Sequence, residues 1–148
     1  MRYLAGLVLA ALVLIPTFAF RPSAEEAAVR QAVLDYVEGI YDVAPDRIAR
    51  SVHPDMHKIG FFRPSPDADY RFMPMNYEQL HQLAGRWNTD NQRNITDETV
   101  KDVVVYDVLD QTATAKLTAQ WGIDYFHLAK YDGTWQIVNV LWQSHPPM

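Results

Sequence analysis

Cysteine is absent from all 148 residues, which excludes disulfide scaffolds, thiolate zinc sites, thiol nucleophiles and an N-terminal lipid-carrying Cys together. Glycine is scarce, with six in the chain, and none stands in a phosphate-loop or dinucleotide-binding spacing. Excess positive charge is missing as well. The 13 Lys+Arg face 18 Asp+Glu, for a net charge of −5, which argues against nucleic acid or another polyanion held by bulk charge. What remains is 49% apolar and 21% charged, the balance of an ordinary globular domain, and the length suits one.

The chain opens with a short positive start, Met1-Arg2, followed by the uncharged apolar run Tyr3 to Ile15 and then Pro16. This pattern predicts a secretory signal occupying residues 1–19, cut after Thr17-Phe18-Ala19, where small residues stand at the two positions a signal peptidase inspects. Residues 20–148 are then the mature domain, exported to a periplasm or beyond, with no membrane contact. The rival is an uncleaved anchor, because Tyr3 to Phe20 reaches the lower limit for a membrane span.

Helical periodicity comes next. Ser23 with Glu26 forms a capping box, and Val29, Val33, Tyr36, Val37 and Ile40 recur at three- and four-residue steps up to Tyr41-Asp42, which predicts an amphipathic helix. Pro45 starts a second, short helix carrying Ile48, Ala49 and Val52 inward and stopping at His53-Pro54. His57 to Phe62 reads as a strand, and the proline-rich stretch from Arg63 to Pro74 as loop with an edge strand at Tyr70 to Met73. Asn76 with Gln79 begins a third helix with the stripe Tyr77, Leu80, Leu83, Ala84 and Trp87. Asn88 to Asp97 is a polar loop.

From Glu98 the period falls to two. Four strands are expected, Val100 to Val108, Thr112 to Trp121, Asp124 to Tyr131 and Thr134 to Gln143, joined at Asp110-Gln111, Gly122-Ile123 and Asp132-Gly133. Pairing about those turns places Val104, Tyr106, Ala113, Ala115, Leu117, Ala119, Trp121, Phe126, Leu128, Trp135, Ile137 and Leu141 on one apolar face, the one helices must cover. Two polar side chains share that face, Asp124 and Asn139. Buried polar groups need partners, so each calls for a hydrogen bond, a water or a ligand. The alanines either leave a hollow walled by Tyr106, Trp121, Phe126 and Trp135, with Trp87 and Tyr41, or pack against a helix. The opposite face carries Val103, Val105, Thr114, Lys116, Thr118, Tyr125, His127, Gln136, Val138 and Val140, a mixed patch suited to a homodimer.

Thr112 to Lys116, Trp121, Asp124-Tyr125-Phe126-His127-Leu128 and Asp132 to Trp142, in the order two helices, strand, helix, meander, resemble the nuclear transport factor 2-like superfamily. His53-Pro54-Asp55 with the Asp-Tyr-x-His-Leu stretch narrows the resemblance to the family called putative lumazine-binding, close to the polyketide-cyclase-like and ketosteroid-isomerase-like branches. The resemblance implies an α+β fold: a curved antiparallel sheet wrapped by three N-terminal helices into a cone, open at a pocket, and usually a homodimer through the outer sheet face. It also places His53, at the end of the second helix, near the cone's mouth.

Three functions compete. The first is an exported module binding a small aromatic or heterocyclic molecule, with Tyr41, His53, Trp87, Tyr106, Trp121, Asp124, Phe126 and Asn139 as the site. The second is an isomerase- or cyclase-type enzyme with His53 or Asp124 as general base. The third is an interaction module whose pocket is vestigial. No cofactor motif occurs. His53 and His57 have helical metal-ligand spacing, but Pro54 breaks the helix that would use it, so no metal is expected. Ser144-His145 lacks the context of a hydrolase triad.

Overall fold

A computed structural model describes residues 23–147 of the chain, so the expected signal and its cleavage point at Ala19 lie outside the described residues. Ser23 accepts the Glu26 N–H at 3.0 Å and opens α1, Ala24–Tyr41, which buries Val29, Val33, Tyr36, Val37 and Ile40 as its periodicity requires. Pro45 opens α2, Pro45–Ser51. Ile48 and Ser51 are its inward residues, whereas Ala49 is exposed, because seven residues make too few turns to present more than one narrow edge. Asn76 and Gln79 form the reciprocal capping box of α3, Tyr77–Ala84.

Six strands follow the chain order β1 Val52–Phe62, β2 Arg71–Met75, β3 Lys101–Val108, β4 Thr112–Ala119, β5 Gly122–Tyr131 and β6 Thr134–Gln143. They lie side by side as β2-β1-β6-β5-β4-β3. The sheet is mixed rather than wholly antiparallel, since β1 runs parallel to β6; the remaining neighbours are antiparallel. Helix α1 packs across β3, β4 and β6 and fills the space over Ala113, Ala115 and Ala119, all buried. The small side chains therefore admit a helix instead of leaving a hollow.

Register is where the strands depart from expectation. The hairpin between β4 and β5 turns at Gln120-Trp121, with Ala119 facing Gly122, not at Gly122-Ile123. Gly122 has φ 151° and stands where a Cβ would meet the Gln143 carbonyl oxygen at 2.0 Å, so it serves as the first strand residue that only glycine can supply. The slip is four in the sum of partner numbers, an even value, and the faces of β4 and β5 are unchanged. Two bulges do change faces. In β3 the register shifts between Val105 and Asp107, so Val103 faces Leu117 and Val105 faces Ala115; Tyr106 is 58% exposed and Val104 is exposed too. In β6 the register shifts at Val138, so Asn139 faces His127 and Val140 faces Phe126. Val140 is buried and Leu141 exposed, the reverse of the expected phase, because one extra residue inverts every side chain beyond it.

Candidate functional site

Two rows of side chains run across the inner sheet face at its wide end. One is Met75, Lys58, Val140, Phe126, Ala115 and Val105; the next is Gly60, Trp142, Asp124, Leu117 and Val103, with Met73 facing Gly60 from β2. Asp124 is fully buried and Lys58 is 5% exposed, and they meet across the rows at 3.4 Å. Tyr36, from the middle of α1, caps the pair: its hydroxyl accepts a close hydrogen bond from the Lys58 ammonium and donates to Asp124 Oδ1 at 3.4 Å. The indole of Trp121 donates to Asp124 Oδ2 at 2.6 Å. Asp124 is thus held inside by three partners, as a buried carboxylate must be.

Electrostatics follow from that burial. Desolvation pushes the Tyr36 phenol well above its ordinary value, and the Asp124 carboxylate pushes it further the same way. Desolvation lowers Lys58 from its ordinary value, with Asp124 working against the fall. Removing one member of such a pair strands a buried charge, a loss of about 3–5 kcal/mol.

The aromatic walls stand over this cluster. Tyr41 bonds the Val100 carbonyl and the Gln120 N–H through its hydroxyl, each at 2.7 Å. Its ring stacks on Trp87 at 5.9 Å and meets Trp121 edge-on at 5.4 Å. Trp87 and Trp121 meet at 5.4 Å. Trp142 lies over Gly60, where any Cβ would fall 1.7 Å from its Nε1. That buried nitrogen has no hydrogen-bond partner among the described residues. Between these rings lies an inner cavity of about 70 Å³ bounded by Lys58, Ile40, Met75 and Leu83 as well as the three tryptophans. It opens into a mouth of about 670 Å³ whose rim carries Gln92, Arg93, Asn94 and Gln120. Arg93 lies over the Trp87 ring at 5.1 Å.

Of the expected site residues, the structure brings Trp87, Trp121 and Asp124 together here, with Tyr41 behind the tryptophans and Phe126 below Tyr36 at 5.1 Å. Three lie elsewhere. His53 stacks on Tyr131 at 4.3 Å, at the opposite end of the sheet, where β5 turns into β6. Tyr106 is on the outer face because of the β3 bulge, and Asn139, turned outward by the β6 bulge, reaches the His57 carbonyl at 3.4 Å. A wider groove of about 840 Å³ passes His57, Phe72, Asn76 and Gln79, but no buried titratable group lines it except Lys58. Among the described residues no group of three or more His, Cys, Asp or Glu could hold a metal.

Lys58 and Trp142 were not expected at the site, and Tyr36 was expected only as a core residue of the first helix. The signal for Lys58 was available: in the strand Met56-x-Lys58-x-Gly60 it shares a face with an apolar and a small residue, the phase of an inward side chain.

The family model described as "Putative lumazine-binding" matches residues 24–143. A nuclear transport factor 2-like protein of unknown function from Silicibacter pomeroyi has 14% identity and a TM-score of 0.61, covering 80% of this chain and 94% of that one. One from Shewanella baltica has 15% identity and a TM-score of 0.60, covering 86% and 100%. A third, from Methylobacillus flagellatus, has 21% identity and a TM-score of 0.59, covering 84% and 96%. These likenesses show a common fold. None of the curated proteins compared with the chain matches it.

Proposed function

The chain belongs to the "Putative lumazine-binding" family, and from that membership and the geometry of the mouth we propose that it binds a small, flat, mostly apolar molecule of aromatic or heterocyclic type. The observation that carries the reading is the aromatic mouth of about 670 Å³ narrowing onto a cavity of about 70 Å³ with a buried ammonium on its wall. Apolar walls with few polar anchors are the usual make-up of a small-molecule site. The mouth takes the ring system between Trp87, Trp121 and Trp142, while the cavity, room for about two waters at ~30 Å³ each, takes one small polar substituent beside Lys58. Around this site the reading places an exported chain, cut after Ala19, that pairs with a second copy through its outer sheet face.

Thermal unfolding across a panel of bicyclic heterocycles and substituted benzenes tests the reading, because a ligand of the native state raises its stability by mass action. One or more compounds should raise the midpoint in the native chain and fail to do so in Leu83→Trp, which fills the mouth. Compounds that stabilise both proteins equally, or none that stabilises either, would reject the site.

A further inference from the structure

Of the four lysines in the chain, Lys58, Lys101, Lys116 and Lys130, three have outward or surface settings. Lys101 is exposed and bonds Glu38, and Lys130 bonds Glu25; Lys116 stands on the outer sheet face between Val104 and Tyr125. Lys58 alone is buried, and it walls the inner cavity. A structural ion pair would need only Asp124. Here the amine bonds a phenol as well as the carboxylate, the phenol in turn bonding that carboxylate, and it has an unfilled space on its other side and two aromatic rings within reach, Tyr36 at 5.1 Å and Trp142 at 5.4 Å from Nζ.

We propose that the substituent entering the cavity is an aldehyde or ketone carbonyl, and that Lys58 condenses with it to a reversible imine. The proposal rests on the small-molecule reading above. Lys58, Tyr36 and Asp124 form a chain along which a proton moves from the ammonium through the phenol to the carboxylate, leaving a neutral amine and a neutral acid. Burial lowers the amine from its ordinary value, and a desolvated lysine is the usual nucleophile of imine chemistry. The amine nitrogen attacks the carbonyl carbon, the C=O π pair moves to oxygen, and a nitrogen-bound proton follows it to give the carbinolamine. Asp124 returns its proton through Tyr36 to the hydroxyl, the C–O bond breaks, and water leaves. The product is an iminium cation beside a carboxylate, the same charge pair as before, so nothing is oxidised or reduced.

The test is reductive trapping. The protein is incubated at neutral pH with benzaldehyde and, separately, acetaldehyde, in the presence of cyanoborohydride, and the adducts are located by peptide mass mapping. One adduct per chain at Lys58 is expected, forming faster than any at the surface lysines, because burial lowers this amine from its ordinary value. Tyr36→Phe, which keeps the ring but removes the closer of the amine's two hydrogen-bond partners, should slow labelling at Lys58 and leave the surface lysines unchanged. Lys58→Arg should abolish the fast phase; because the unsubstituted protein is mapped directly, the result stands even if that variant does not fold. Adducts confined to Lys101, Lys116, Lys130 or the chain terminus would overturn the proposal. If benzyl alcohol raises the thermal midpoint while Lys58 stays unlabelled, the imine is refuted and the binding site is not; if neither occurs, both fall.

Discussion

Lys58, Tyr36 and Asp124 meet in one buried cluster, and the proton equilibria of Tyr36 and Lys58 set how the fold responds to pH. Folding raises the Tyr36 phenol above its ordinary 10.0, so above that pH the unfolded chain releases a proton that the native state keeps. Stability that Tyr36 contributes in full below pH 10.0 is therefore lost as pH rises beyond it. Lys58 acts in the other sense. Its native value lies below 10.5, so stability rises with pH between that native value and 10.5. Tyr36→Phe should cost about 1–3 kcal/mol at neutral pH, where it removes a buried hydrogen-bonded hydroxyl, and should flatten the alkaline decline. Urea midpoints taken across pH 10 check this; a variant that loses stability as steeply as the native chain would contradict it. A smaller decline persists from Tyr41, whose phenol burial also raises.

At the scale of elements, β1 positions the site through a residue with no side chain. Gly60 leaves the slot in which Trp142 lies, and a methyl group there must displace the indole. Gly60→Ala should destabilise the fold by about 1–3 kcal/mol, the usual cost of overpacking, and shift tryptophan fluorescence by turning Trp142 into the mouth; an unaltered spectrum at native stability would refute the assigned contact. The sequence made β1 visible as a strand but not Lys58 as an inward residue, since a lysine is ordinarily read as solvated. The helices were legible because their caps and apolar steps lie within a few residues, as Ser23 and Asn76 illustrate. Asp124 was placed correctly because the slip at the β4–β5 turn was even. Asn139 and Tyr106 were misplaced because a bulge adds one residue with no compositional mark: Val138 looks like any strand valine. His53 was misplaced for another reason. The helix expected to end on it stops at Ser51, so His53 is the second residue of β1, and β1 carries the chain away from it toward the mouth.

For the whole molecule, the outer sheet face has its own pattern. Ile59, Leu141, Tyr125 and Val104 form a row across β1, β6, β5 and β3, interrupted on β4 by Lys116, and all four are exposed, between 38% and 47%. A row of that kind suits a self-complementary contact about a two-fold axis. Light scattering of the protein should give twice the chain mass, and Tyr125→Glu should halve it without lowering the thermal midpoint of ligand-bound chains; a monomer before substitution would remove the basis for the pairing.

The parallel seam between β1 and β6 has a temporal meaning. Lys58 and Asp124 are 66 positions apart, and the strand that lies between them in the sheet, β6, is the last of the described strands in chain order. Until the final ribbon is laid down, the amine has solvent where its counter-ion will be, so a chain halted before Thr134 has neither a closed hollow nor a matched pair. Such distant closures are slow, and receptivity to the ligand should be the last property to appear during refolding, after the helices and the Asp132-Gly133 hairpin have already formed.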